Sequence, residues 1–180
     1  MENNSIRREY PQHQLDRIME TYEPEYRLLV RAELSPRTAR GYFRLRDKPY
    51  GSKQPQEHAG FDELGYCLEQ LTYAAFGEWL QNGRVENFDI DFSDFLKMRK
   101  ANLIQVEAIK EGRFRKKIKR KTKEPIVCDI ELTRARRFGN TCLAIVDYSF
   151  EGGRASGQLE FGILLPNMKL DRNHRGRRIC

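Results

Sequence analysis

Phe61-Asp62-Glu63-Leu64-Gly65-Tyr66-Cys67-Leu68-Glu69-Gln70-Leu71-Thr72-Tyr73-Ala74-Ala75-Phe76-Gly77-Glu78-Trp79-Leu80 is the stretch on which the reading of the chain turns. Phe61, Leu64, Leu68, Leu71, Ala75 and Trp79 recur at the three-to-four spacing of one helical face. Tyr66, Cys67, Tyr73, Ala74, Phe76 and Leu80 carry the apolar surface well round the cylinder. A helix apolar on most sides belongs inside a fold. Asn82-Gly83 supplies its stop signal.

What surrounds the helix reads as strands. Upstream, Leu28, Val30, Ala32 and Leu34 alternate with Leu29, Arg31 and Glu33, and Ala39, Gly41, Phe43 and Leu45 alternate with Arg40, Tyr42 and Arg44. Ser35-Pro36-Arg37 makes the turn between them. The segment from Asp47 to Gly60 is broken by Pro49, Gly51, Ser52 and Pro55 and reads as a loop. Downstream, a polar and aromatic stretch, Phe88–Phe95, leads into runs at Leu103–Ile109, Ile126–Thr133, Ala144–Phe150 and Leu159–Leu165. Glu151-Gly152-Gly153-Arg154 joins the last two as a hairpin, and Phe138-Gly139-Asn140 marks another turn. Two strands, one long buried helix and then three or four long strands predict an α+β hot-dog fold, an antiparallel sheet wrapped around a single helix. Such a sheet has one solvated face and one that needs cover.

With 180 residues the chain suits one domain. Residues 1–13 read as a poorly ordered lead-in, 14–166 as the hot-dog domain, with a short helix near Gln14–Tyr22, and 167–180 as a flexible basic tail. No apolar run is long enough for a membrane span, and Met1–Arg8 lacks the apolar core of a signal peptide, so a cytoplasmic location is expected. Cys67, Cys128, Cys142 and Cys180 are scattered without a CxxC pair, which argues against a metal site; the first three read as small core residues.

The net charge of +7 is concentrated in two places. Arg113–Lys123 contains eight basic residues and no acid, and Asp171–Arg178 is the other basic segment. The remainder is slightly acidic. Three readings of residues 113–123 stand: a solvated strand end and loop, a docking patch for an acidic carrier protein or for coenzyme A phosphates, or a nucleic-acid contact. Phe114 is the one aromatic residue within that run, a poor provision for base stacking, so a nucleic-acid partner is not expected.

Reaction at a carbonyl needs a donor for developing oxyanion charge and a base. The buried helix begins directly after His58-Ala59-Gly60. Its first turn offers free N–H groups and the positive dipole end. Gly60 leaves the backbone open to a ligand, Phe61 adjoins it, and histidine titrates nearest neutrality of all side chains. Glu69, two turns on, is a candidate base. The plain alternatives are that His58 is a cap or a solvated loop residue and that Glu69 shares a polar stripe with Asp62. His13 and His174 fall in segments that look disordered. No catalytic Ser-His-Asp pattern, phosphate-binding loop or dinucleotide fingerprint is present.

His58-Ala59-Gly60-Phe61-Asp62-Glu63-Leu64, followed by Cys67 to Phe76, resembles the histidine loop and central helix of the FcoT-like thioesterases. Arg113-Phe114-Arg115-Lys116 and Gly152-Gly153-Arg154-Ala155-Ser156-Gly157 resemble further stretches of that family, and the likeness runs from about Leu15 to Pro166. The resemblance implies a hot-dog homodimer with active sites at the subunit interface, acting on acyl thioesters of coenzyme A or an acyl carrier protein. It implies no resident cofactor beyond the phosphopantetheine arm that carries the substrate. Some members add glycine to the β-carbon of a 2-enoyl thioester before release. In them the residue matching His58 works through a water, the loop from the residue matching Tyr50 recognises glycine, and a further tyrosine matches Tyr22. Two departures stand out. Gly60 replaces an asparagine in a loop that is two residues longer here, although Lys53 can pair with a carboxylate, and Glu69 replaces an asparagine, which tilts the expectation towards hydrolysis. Arg113, Arg115 and Lys116 are the docking candidates. A dehydratase using His58 and Glu69 is the alternative enzyme, and a basic nucleic-acid-binding module the alternative outside catalysis.

Overall fold

A computed structural model of the chain describes residues 6–49, 54–81, 90–120, 124–138 and 141–164. Among them, seven strands form one wholly antiparallel sheet: β1 (Arg8–Glu9), β2 (Leu29–Leu34), β3 (Thr38–Phe43), β4 (Ile104–Phe114), β5 (Ile126–Phe138), β6 (Thr141–Phe150) and β7 (Ala155–Leu164), in the order β1-β2-β3-β5-β6-β7-β4. Three helices accompany it, α1 (Gln12–Met19), α2 (Phe61–Gln81) and α3 (Phe92–Lys100). None is long and apolar enough to cross a membrane.

α2 is the helix that its periodicity predicts, and it is buried as its all-round apolar surface requires. Every residue from Gln70 to Gly77 is buried. It packs on β2, β3 and β5, its Tyr73 and Phe76 rings meet Phe161 of β7 at 5.5 and 4.4 Å, and Phe61 meets Phe114 of β4 at 6.1 Å. The sheet thus touches the helix from its second strand to its last. Gly41 makes this approach possible: a Cβ there would stand 2.7 Å from the Phe43 ring and 3.0 Å from Leu71 Cδ1. Two polar side chains on the buried length are satisfied internally, as burial demands. Thr72 donates to the Leu68 carbonyl at 2.7 Å. Gln70 accepts from the Leu28 and Leu29 N–H groups and donates to the Tyr26 carbonyl.

Four features depart from the expected pattern. The sheet starts earlier than the polar lead-in suggests: Arg8 and Glu9 pair with β2, and Tyr10 is buried with its N–H on the Ala32 carbonyl. In β2 the alternation is interrupted by a bulge between Leu29 and Arg31, which turns Leu29 inward and leaves Val30 exposed. The stretch placed before the later strands contains α3, capped by Asp91, whose carboxylate accepts from the Asp94 N–H at 2.8 Å, and buried through Phe95, Leu96 and Met98. β4 continues to Phe114, so Arg113 and Phe114 are strand residues, and it forms the sheet's far edge. Cys67, Cys128 and Cys142 are buried in the core, as expected; Cys180 lies outside the described residues, as do Tyr50, Lys53 and the basic tail.

Candidate active site

The segment before α2 is held by a short antiparallel contact with the basic segment. Ala59 donates to the Ile118 carbonyl at 3.0 Å and Arg120 to the Glu57 carbonyl at 2.8 Å, with His58 opposite Lys119. Gly60 then occupies the N-cap position, and Glu63, three residues on, accepts from its N–H at 3.2 Å. This is the backbone-capping half of a capping box. The Glu63 carboxylate is simultaneously gripped by Arg120, Nη1 to Oε1 at 2.8 Å and Nη2 to Oε2. Both side chains are almost wholly buried, 4% and 3% exposed. The same guanidinium donates to the carbonyls of Gln56 and Arg46. One buried ion pair therefore ties the helix start, the histidine loop, the end of the β3 segment and the basic run together.

Arg120 also stands apart from the described cations of that basic run. Ile118 and Arg120 are interior, whereas Arg115, Lys116 and Lys117 are exposed. The Arg115 and Lys116 N–H groups both bond the Arg154 carbonyl, at 2.8 and 3.1 Å, which anchors them to the β6–β7 hairpin. Those three cations line an open cleft of about 330 Å³ together with His58, Ala59, Phe114 and Ile118. His58 and the docking candidates Arg115 and Lys116 thus share one concavity. Arg113 does not line it; exposed on β4, it lies 3.7 Å from Glu111.

Phe114 forms the boundary between this cleft and a second, apolar space. The latter is a narrow slot of about 10 Å³ between α2 and the sheet, lined by Phe61, Leu64, Gly65 and Leu68 on one side and Ile109, Phe114, Tyr148, Phe150 and Ala155 on the other. Phe61 and Phe114 are each 51% exposed at its mouth. Tyr148 Oη donates to the Glu111 carbonyl at 3.2 Å, and burial pushes its phenol above the ordinary range. At Gly60 a Cβ would find only Glu63 Oε2, at 4.0 Å, so the approach to the loop is open.

Glu69 belongs to a different cluster. Its Oε1 accepts from Tyr22 Oη at 3.0 Å and from Arg99 Nη2 at 3.3 Å. Arg99 lies over the Tyr73 ring at 4.1 Å and the Tyr22 ring at 5.3 Å, and Tyr73 donates to the Ile104 carbonyl at 3.2 Å. Burial, with the Glu69 charge adding to it, holds both phenols far above their usual range. Tyr22 and Glu69 are brought together. His58 is not joined to them: Glu69 lies eight residues beyond Phe61, about 12 Å along the helix axis, and lines neither the cleft nor the slot. Arg99, Glu63 and Arg120 escape a reading of the sequence. Glu63 alone carries a local sign, its place three residues after the N-cap. Among the described residues no group of His, Cys, Asp and Glu is arranged to hold a metal ion.

No protein-family model and no curated protein matches the chain. Among solved structures it is similar to AziG of S. sahachiroi, at 14% identity and a TM-score of 0.43, over 74% of this chain and 88% of that one. It is also similar to a candidate thioesterase from Syntrophus aciditrophicus, at 14% identity and a TM-score of 0.49, over 85% of this chain and 95% of that one. At such identities and TM-scores neither likeness assigns a fold, a substrate or a residue role.

Proposed function

We propose that the chain is a hot-dog thioesterase that hydrolyses acyl thioesters carried on a phosphopantetheine arm. The observation that carries this reading is the junction at Phe114. On one side lies a cleft with a histidine and three cations, suited to the anionic end of such a carrier; on the other lies an apolar seam with room for about one water, which an acyl chain enters only if the half-exposed Phe61 and Phe114 rings part. The thioester carbonyl then falls near the start of α2, where the first-turn N–H groups have no intrahelical acceptors. Those donors and the helix dipole take up the charge of the tetrahedral intermediate. His58 accepts a proton as water attacks the carbonyl carbon, then returns it to the sulfur as the C–S bond breaks. Arg115, Lys116 and Lys117 steer the anionic carrier, so the KM rises with salt. Glu69, already engaged by Tyr22 and Arg99, has a supporting place in this scheme and not the base's role. A homodimer is supported by β4, an eleven-residue strand with β7 as its neighbour in the sheet and an edge on which a second copy can continue the ladder.

The test follows free-thiol release and product mass with acyl-CoA and acyl-carrier-protein substrates, with and without glycine. Free acid is the expected product. His58→Ala is expected to reduce kcat/KM by about a hundredfold or more while the secondary structure is retained. A glycine adduct would shift the reading to glycine transfer, and an enoyl product from a 3-hydroxyacyl substrate would shift it to dehydration. Turnover largely unaffected by His58→Ala would remove His58 from the mechanism.

A further inference from the structure

We infer that the outer face of β5, β6 and β7, at the end of the sheet away from the cleft, is a self-association surface. A second copy of the chain packs on it about a two-fold axis running along β6. The inference rests on strand register and stands apart from both the thioesterase reading and the pairing of β4 edges.

Residues directly opposite one another in an antiparallel ladder share a face. Ala144 shares its face with Phe161, which meets α2, and Cys142, Ala144 and Val146 are fully buried. Thr141, Leu143 and Ile145 alternate with them and therefore face outward. Each is the centre of a row across three strands. Ile145 stands between Arg134 of β5 and Glu160 of β7, Leu143 between Arg136 and Gly162, and Thr141 between Phe138 and Leu164. The last row leaves two large apolar side chains in solvent, Phe138 57% and Leu164 51% exposed. Towards β2 and β3, charges of the outer face are paired within the chain, Asp129 with Arg7 and Arg40 and Glu33 with Arg31. A contiguous apolar patch with a polar border marks a contact surface.

The rows identify the occupant. A two-fold axis along β6 exchanges the β5 and β7 sides, so each row meets itself reversed. Phe138 then packs on the partner's Leu164, and Leu143 and Ile145 meet their own copies on the axis. Arg134 faces the partner's Glu160, and Arg136 crosses the partner's Gly162, which presents no side chain. Two sheets stacked in this way lie about 10 Å apart with their strands nearly aligned. The next row, Glu131 with Asp147 and Gln158, sets Asp147 against itself, so the contact ends at Ile145. An anionic membrane would also attract Arg134 and Arg136, but Glu131, Asp147 and Glu160 on the same face oppose it. Phe114, at the cleft, pairs with Ala155 at the other end of β7, about 30 Å from Leu164. The cleft stays open.

Sedimentation velocity over a concentration series tests this, on the full chain and on Phe138→Asp, Arg134→Glu and Glu160→Arg variants whose circular dichroism matches the wild type. The wild type should form an assembly of twice the mass that Phe138→Asp forms: two chains against one, or four against two where β4 also pairs. Arg134→Glu and Glu160→Arg should each weaken association by about tenfold or more, since each brings like charges together. Mixed in equal amounts, these two variants should recover it, because in the mixed pair both contacts again join opposite charges. That recovery needs two chains, and it decides the matter if Phe138→Asp fails to fold. A wild type that sediments like Phe138→Asp, charge variants that associate like the wild type, or a mixture no better associated than its components would overturn the inference. Binding to phosphatidylserine vesicles that Phe138→Asp abolishes, with sedimentation unchanged, would assign the patch to a lipid surface instead.

Discussion

Arg120 and Glu63 show how much one pair of residues can organise. Each is a charge taken out of water, tolerable because the guanidinium meets the carboxylate on two atoms and spends other donors on backbone carbonyls. Arg120→Ala would strand a buried carboxylate and is expected to cost about 3–5 kcal/mol. The combined Glu63→Leu, Arg120→Met variant should recover much of that loss, because it buries no charge. Urea unfolding measures both; a cost below about 1 kcal/mol for Arg120→Ala would mean that the pair contributes no more than an exposed one. The pair is 57 residues apart in sequence. Nothing local to Arg120, set in a run of lysines and arginines, distinguishes it from exposed Lys119 beside it.

Among the elements, β4 is the one whose position most affects the site, because it supplies Phe114 and leads directly into the cleft. Its pairing with β7 passes through two irregularities, between Val106 and Ala108 and between Ile109 and Glu111. There the strands approach so closely that a Cβ on Gly157 would lie 1.7 Å from the Glu111 carbonyl oxygen, with Tyr148 Oη at 2.8 Å. Gly157→Ala is therefore expected to destabilise the protein by about 3 kcal/mol and to remove hydrogen-exchange protection from β4. A wild-type melting temperature would refute the close approach. Gly65→Ala makes the opposite forecast from the same type of substitution, since a Cβ there would meet nothing within 4 Å. The element that sequence periodicity misses is α3, a short helix with a polar outer face whose apolar positions match no long pattern. The Asp91 cap is its one local signal, and Arg99 takes its place in the Glu69 cluster only because α3 forms.

At the scale of the whole molecule, burial holds thiols and phenols of the core in their neutral form. Burial pushes the Cys67 and Cys128 thiols well above the usual thiol range, and burial likewise raises the Tyr10, Tyr22 and Tyr73 phenols. Unfolded thiols ionise near about 8.5 and phenols near about 10. Above those values the unfolded chain releases protons that the native state still binds. Stability is thus fully present below about pH 8.5 and falls as pH rises through the thiol and then the phenol range. Urea midpoints measured between neutral and strongly alkaline pH should decline in that order. A midpoint that stays constant into the phenol range would contradict the burial described.

The path of α2, the inward face of β3 and the Glu151–Arg154 hairpin are written in near neighbours: three-to-four spacing, strict alternation, and a pair of glycines at φ 65° and 92°. Those signals depend on residues a few positions apart, so they survive without the fold. His58 beside a helix start was legible for the same reason. The assignment of Glu69 to a cluster with Tyr22 and Arg99, the burial of the Arg120 side chain beside exposed Lys119, and the bulge that turns Val30 outward were not. Each depends on which distant segment arrives alongside, and burial and desolvation act only once that packing exists.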